Sequence, residues 1–440
     1  MGTNILKNRY FNFFGRSIAP PDLMLYLFIV SGECVRAIVP FIHNPLHAIW
    51  SDPGRWWEYA STGTDTPPLA LIDPVFYQAW LSFVAKLTLD IPVLTALYAA
   101  VLSVITPWIW YKFFRELLPV KRYALAGWAI LAWLPSWIGI YSYYMSETLL
   151  LPLMGLSLWL SWRSMRKRDV GSFGLAAFCW TLAGTTRAVA APVAAAVTVF
   201  TWWRQERRVA SAIGAGLIIV LILGSLSYRS YQRTGLLAPL GQGAMNQIYA
   251  QSGKKEIKIN YSSSNGVRFY YGFGSPSVGI APFEPFSDWR TSRTGVVDVN
   301  IDLDNQSASW RQAQSLASES APSTLPLIAE NITFLFFGHS WPDTNRNHFF
   351  EQLSNWMRFV WAPLFIICVV MLIHIIRKGE RKHAPPLLMA LLLWFLIQGV
   401  LLISVNEGRY RKPAEGLIIA AMLFAASRRS DKFKNISGID

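Results

Sequence analysis

The feature that most limits how this chain can fold is the sorting of its charge along an apolar sequence. About ten apolar segments approach the roughly 20 residues that a helix needs to cross a bilayer. They lie near 22–41, 92–111, 123–143, 148–162, 171–186, 188–203, 210–228, 356–376, 385–404 and 414–427. Between them stand basic clusters: Lys7/Arg9/Arg16, Lys112/Arg115/Lys121/Arg122, Arg163/Arg166/Lys167/Arg168, Arg204/Arg207/Arg208, Arg377/Lys378/Arg381/Lys382 and Arg428/Arg429/Lys432/Lys434. If the segments alternate across a membrane, every cluster falls on one face, which is the pattern of cytoplasmic loops. Both termini then lie on that face.

Composition agrees. The 440 residues are 53% hydrophobic and only 15% charged, whereas soluble domains run nearer a quarter charged. The expected fold is an all-α polytopic membrane protein with about ten transmembrane helices. More than half of the 40 Lys and Arg residues sit in the clusters above, so the net charge of +14 reads as loop asymmetry and not as a nucleic-acid surface. Cys34, Cys179 and Cys368 all lie in apolar runs, which excludes a disulfide framework or a zinc spacing. Residues 1–21 carry Lys7, Arg9 and Arg16, and the apolar run that follows is long enough to anchor, so no cleavable signal peptide is expected.

Three regions follow: an N-terminal transmembrane module over 1–228, an outer segment over 229–355, and C-terminal helices with a tail over 356–440. The first outer loop, about 42–91, holds Trp50, Trp56, Trp57 and the pair Pro67-Pro68. Within it Val75, Phe76, Ala79, Trp80, Phe83, Val84 and Leu87 recur at helical spacing, which predicts an interfacial amphipathic helix over 74–88. The outer segment is polar and rich in Ser, Asn and Gly, fitting a small domain or a lid; its Asp298, Asp302 and Asp304 read as a solvated face. The 171–203 stretch fits either two spans or two half-depth helices.

The chemistry gathers at the outer rim. Asp52 lies in Trp50-Ser-Asp-Pro-Gly-Arg-Trp-Trp-Glu-Tyr59. A carboxylate among interfacial aromatics is partly desolvated and suited to taking a proton from a hydroxyl; helix capping is the plainer reading. Glu147 opens the fourth span in Tyr144-Met-Ser-Glu-Thr148, where an acid favours the helix dipole and could equally face Asp52 across a cavity. Arg409, Arg411 and Lys412 break the positive-inside pattern in a tight outer loop and so require anionic partners, a phosphate above all. Arg187, after Gly184-Thr-Thr, is similar, with snorkelling as its simpler account. Glu33 and Arg36 share a face of the first span and read as a structural pair. His43 and His47 are four apart, but Asn44-Pro45 interrupts a helix there, so they make a poor metal site. No nucleotide-binding loop or serine-hydrolase elbow is present.

Taken in order, Ser51-Asp-Pro-Gly-Arg-Trp-Trp-Glu-Tyr-Ala60, Ser146-Glu-Thr-Leu-Leu150, Gly184-Thr-Thr-Arg-Ala-Val-Ala-Ala-Pro192, Tyr228-Arg-Ser-Tyr-Gln-Arg-Thr-Gly-Leu-Leu-Ala-Pro-Leu240 and Gly408-Arg-Tyr-Arg-Lys-Pro413 resemble stretches of the GT-C class of integral-membrane glycosyltransferases. The likeness is to bacterial relatives of the protein mannosyltransferases and of the lipid A aminoarabinose transferase. It covers about 1–250 and 355–430. The resemblance implies a sugar donor on a polyprenyl phosphate and transfer on the outer, periplasmic face of a bacterial inner membrane. It implies Asp52 as general base of an inverting displacement, Glu147 assisting, and Arg187, Arg409 and Arg411 at the carrier phosphate. Where many relatives carry a second acid directly after the first, this chain has Pro53, which leaves Glu58 or Asp73 as accessory acids; Tyr410 joins them as an accessory residue, and Gly408 stands where many relatives carry His. No cofactor is demanded, although a divalent metal is compatible with the paired acids. The acceptor (glycan, lipid or protein) is open. Two other readings remain, a surface-polysaccharide polymerase or ligase and a transporter of a lipid-linked substrate. The first lacks a reason for the early acidic loop, and the second places its polar residues at mid-membrane.

Overall fold

The computed structural model describes residues 11–13, 16–18, 20–49, 51–61, 74–234, 237, 239–240, 256–263, 266–272, 296–302, 305, 308, 315, 324–338, 349–401 and 408–437. The fold is built on helices. In chain order they are α1 (Pro20–Ile42), α2 (Ser51–Ser61), α3 (Val75–Thr88), α4 (Pro92–Leu117), α5 (Lys121–Ala132), α6 (Pro135–Gly139), α7 (Glu147–Lys167), α8 (Val170–Thr186), α9 (Ala190–Trp203), α10 (Arg208–Thr234), α11 (Thr324–Phe337), α12 (Phe349–Arg377), α13 (Ala384–Phe395) and α14 (Lys412–Ser437). Over their described residues the apolar segments of the sequence are largely helical. Among the described residues, four helices are long and apolar enough to cross a membrane: α1, α4, α10 and α12. A fifth span arises if α5 and the stretch Pro135–Ser142, bent by 56°, count as one. Pro135 supplies the bend, since it lacks the N–H that a continuing helix would need.

Strands are minor. A short hairpin pairs β1 (Phe11–Phe13) with β2 (Arg16–Ile18). In the outer segment β3 (Glu256–Ser263) pairs antiparallel with β4 (Gly266–Gly272) and parallel with β5 (Val296–Asp302), giving the order β4-β3-β5. The sequence reading misses these strands, although residues 256–262 and 297–302 alternate polar and apolar side chains.

One continuous core joins α4, α7, α13 and α14 around large aromatics. At its centre the Trp110 indole is slotted between two glycines. A Cβ at Gly155 of α7 would lie 2.5 Å from Trp110 Cδ1, and one at Gly416 of α14 would lie 2.6 Å from its Cη2. The indole N–H donates to the Leu151 carbonyl at 2.9 Å, so a fully buried donor is satisfied. Small residues thus let the helices approach closely, as membrane helices do.

Five of the basic clusters, those at 112–122, 163–168, 204–208, 377–382 and from Arg428, are linked at one end of the bundle. Arg166 pairs with Glu116 at 2.9 Å, Arg168 with Glu206 at 2.9 Å and Arg428 with Glu380 at 2.6 Å, while Arg204 donates to the Arg381 carbonyl at 2.9 Å. Lys121 lies 5.8 Å from the ring of Tyr26, near the start of α1.

Helix α3 corrects a detail of the sequence reading. Its buried face is Val75, Tyr77, Gln78, Leu81, Val84, Ala85 and Thr88, so Val75 and Val84 of the expected stripe are buried whereas Phe83 and Leu87 are exposed. The helix has apolar residues on both sides, so periodicity alone could not separate the inward face from the outward one. Glu33 and Arg36 also differ from a simple pair. Glu33 accepts the Trp128 indole N–H at 2.6 Å and lines an apolar groove between α1 and α4, while fully buried Arg36 lies 6.0 Å from the Tyr141 ring.

Candidate functional site

Four connections between distant helices bring the rim residues together. Asp52 sits in the first turn of α2, one residue in from Ser51. That helix is anchored by two indoles: Trp56 meets Tyr77 edge-on at 5.3 Å, and Trp57 stacks on Tyr144 at 4.1 Å with 4° between the rings. Tyr144 lies three residues before Glu147, so the Trp57 stack fixes α2 against the start of α7. Both Trp side chains are nearly fully buried, a contribution of about 2–3 kcal/mol each by area.

Glu147 is the first residue of α7 and is completely buried. Arg187 reaches it from the extended turn between α8 and α9, and its Nη1 donates to Glu147 Oε1 in a buried ion pair. Close contact of those two helices shapes the turn: a Cβ at Gly184 would lie 3.2 Å from Ala191 Cβ. The charges of Arg187 and Arg409 offset the cost of burying this carboxylate.

Arg409 comes from the 3-10 turn Gly408–Arg411. Its Nη2 donates to Asp52 Oδ2 at 3.1 Å and to the Tyr410 hydroxyl at 3.3 Å, and its Nη1 lies 3.8 Å from Met145 Sδ. The Tyr410 ring ties the two guanidiniums together, with Arg187 4.2 Å and Arg409 5.1 Å from its centre. The result is a quartet of two acid–arginine pairs, Asp52–Arg409 and Glu147–Arg187, whose guanidiniums share one phenol ring. Only Asp52 retains appreciable exposure, 13% of its side chain, against 8% for each arginine and 0% for Glu147.

Other sequence candidates fare differently. Arg411 does not share the partners of the quartet; its Nε donates to Glu415 at 3.1 Å, and its Nη1 donates to the carbonyls of Leu335 and Phe336 at 3.2 and 2.6 Å. Residues two apart in a tight turn point apart, and a sequence cannot tell which of two nearby arginines takes which direction. Glu58 is exposed on α2. Asp73, Glu407, His339 and His348 lie outside the described residues.

Sequence reasoning missed a buried network behind the site. Lys412 Nζ donates to Glu351 Oε1 at 3.0 Å, both fully buried, and Ser136 donates to Glu415. A Cβ at Gly139 would come within 2.5 Å of Glu351 Oε1, so that acid occupies the space a side chain there would fill. The signal was available in part: Glu351 opens a long apolar helix, where an ionisable residue demands a partner.

Among the described residues no three His, Cys, Asp or Glu side chains gather as a metal site. Asp52 and Glu147 each face a guanidinium, a donor set that suits an anion better than a cation. No family model matches the chain, and no curated protein sequence matches it.

Proposed function

We propose that the chain is an integral-membrane glycosyltransferase that takes a sugar from a polyprenyl-phosphate donor. The bilayer is crossed by about ten helices, with both termini cytoplasmic and the quartet at the periplasmic rim of a bacterial inner membrane. The meeting of five basic clusters at one end of the bundle supports this orientation.

The observation that carries the reading is the meeting of two ion pairs, Asp52–Arg409 and Glu147–Arg187, from residues far apart in the chain, whose guanidiniums share the Tyr410 ring. An acid with some exposure beside guanidiniums that are nearly buried is what acid–base transfer next to an anionic leaving group requires. Asp52 takes the proton of the acceptor hydroxyl. The acceptor oxygen bonds to the anomeric carbon from the face opposite the phosphate, and the carbon–oxygen bond to phosphate breaks, leaving its electron pair on the carrier. Arg409, with Arg187 beside it, stabilises the charge that grows on that phosphate. Glu147, held by Arg187, fixes the position of that guanidinium. Arg411 serves this site by holding the 408–411 turn in place, through its grip on the end of α11.

Cells expressing the wild-type chain should accumulate a glycoconjugate that is absent when the gene is deleted and when Asp52 is replaced by Asn, as read by mass analysis of envelope lipids, glycans and proteins. Identical glycoconjugate profiles in the three strains would end the proposal.

A further inference from the structure

The ion pair between Arg409 and Asp52 raises a conflict. The proposed base and the proposed phosphate-binding residue satisfy each other: Arg409 Nη2 donates to Asp52 Oδ2 at 3.1 Å. A carboxylate paired with a guanidinium is held in its charged form and is a weaker base toward an acceptor hydroxyl. Equally, a guanidinium donor spent on a carboxylate is withheld from a phosphate. The second pair differs in kind. Glu147 is completely buried, and separating it from Arg187 would strand a charge in a dry interior. Asp52 keeps 13% of its side-chain surface and can exchange its partner for water or a hydroxyl.

We infer that Arg409 is a switch: the carrier phosphate displaces Asp52 from Arg409, so that donor binding itself releases the base and must precede activation of the acceptor. This inference rests on the glycosyltransferase reading. Before binding, Arg409 and Asp52 neutralise one another. The donor phosphodiester, carrying one negative charge, takes the Arg409 donors, and the Asp52 carboxylate turns to the acceptor hydroxyl. Proton transfer to Asp52, bond formation at the anomeric carbon and departure of the carrier as a phosphate dianion leave Arg409 facing the more highly charged product. When the carrier leaves, Asp52 returns its proton to water and Arg409 returns to Asp52. Tyr410 keeps Arg409 within reach of both partners, since the hydroxyl accepts from the same Nη2 at 3.3 Å and the ring lies under the guanidinium. With no donor in place the base stays engaged, which protects the acceptor site from idle deprotonation.

The exchange makes a prediction that a simple catalytic role for Asp52 does not. Removing the competing carboxylate should strengthen carrier binding. With polyprenyl monophosphate titrated against the full chain in lipid nanodiscs, Asp52→Asn should bind about tenfold more tightly than wild type, because close charge pairs at binding sites couple strongly. In an Arg409→Gln background the same substitution should give no gain, which closes a double-mutant cycle on the pair. Asp52→Ser provides the same comparison if the Asn variant does not fold. Equal or weaker binding by a folded Asp52 variant, with wild type still preferring the phosphate to uncharged polyprenol, overturns the switch. Equal binding of phosphate and polyprenol by wild type would instead overturn the glycosyltransferase reading beneath it.

Discussion

Arg409 and Asp52, 357 residues apart in the chain, meet at 3.1 Å where α2 passes the turn that opens α14. Neither residue is in a continuous helix with the other, and nothing local in the sequence requires the contact. It exists because Trp57 on Tyr144 fixes α2 while the buried network around Lys412 fixes the turn. Two rigid supports therefore determine one polar contact, which is the arrangement a preorganised site needs.

Replacing Asp52 with Asn should lower turnover by about 10²–10⁴-fold, the range for loss of a general base. Thermal stability in detergent should change little, because Asn still accepts from Arg409 and the position is near the surface of the quartet. Single-turnover transfer with purified protein and a polyprenyl-phosphate sugar measures the first effect, and a melting curve the second. Turnover within twofold of wild type would remove Asp52 from the chemistry.

Arg409→Lys should weaken carrier binding and slow transfer together, by roughly 10–100-fold, since a lysine supplies a point charge without the planar fork and loses contact with the Tyr410 ring. Lysine at Arg187 should do more damage to folding than to binding. Its partner Glu147 is completely buried, and a misplaced cation there leaves a desolvated carboxylate at a cost of about 3–5 kcal/mol. Expression yield and melting temperature of the Arg187 variant, set beside carrier affinity of the Arg409 variant, separate the two roles.

Much of this was legible in the sequence, for physical reasons that also mark where legibility ended. Apolar runs and basic clusters locate helices and their ends because bilayer thickness and charge asymmetry act on long stretches. Asp52, Glu147, Arg187 and Arg409 stood out because ionisable groups at an apolar boundary need partners. Partner choice is another matter. Arg409 and Arg411 are equivalent by composition, and only the path of the 408–411 turn sends one to Asp52 and the other to Glu415. Likewise α3 has apolar residues on both sides, so its periodicity could not say that Tyr77 and Leu81 face inward while Phe83 faces out. The sheet of the 229–355 segment is missed although residues 256–262 and 297–302 alternate polar and apolar side chains, a strand signal that the polar, Ser- and Asn-rich surroundings obscure.

The slot around Trp110 should tolerate no added atom. Gly416→Ala places a methyl 2.6 Å from the indole, whose other edge lies so near Gly155 that a Cβ there would also clash. Overpacking of this kind costs about 1–3 kcal/mol. A lowered melting temperature with unchanged carrier affinity is expected. The matching double variant, Gly416→Ala with Trp110→Phe, should recover part of the loss by vacating the space beneath the methyl.

Stability should also fall with acidity at the basic end of the bundle. Between α12 and α13, Glu380 accepts from the backbone N–H groups of Lys382 and His383 at 2.8 and 3.2 Å and pairs with Arg428 at 2.6 Å. Burial opposes charge on Glu380, but these donors and Arg428 prevail and hold its carboxyl below the usual range. Burial first, and then the neighbouring Lys382, Arg428 and Arg204, push His383 down to about 4 despite the opposing pull of Glu380. A depressed folded-state value means that the unfolded chain binds the proton first, so both groups stabilise the fold at neutral pH and lose that contribution as pH falls. For His383 the loss runs from about 6.5, its ordinary value, down to about 4, and Glu380 adds its share only below the ordinary carboxylate range. Melting temperature in detergent should therefore decline between pH 7 and pH 5, and His383→Asn should flatten that decline while leaving the slope below pH 4 in place. A wild-type melting temperature that is level from pH 7 to pH 5 would mean that His383 is protonated as readily in the fold as in the open chain.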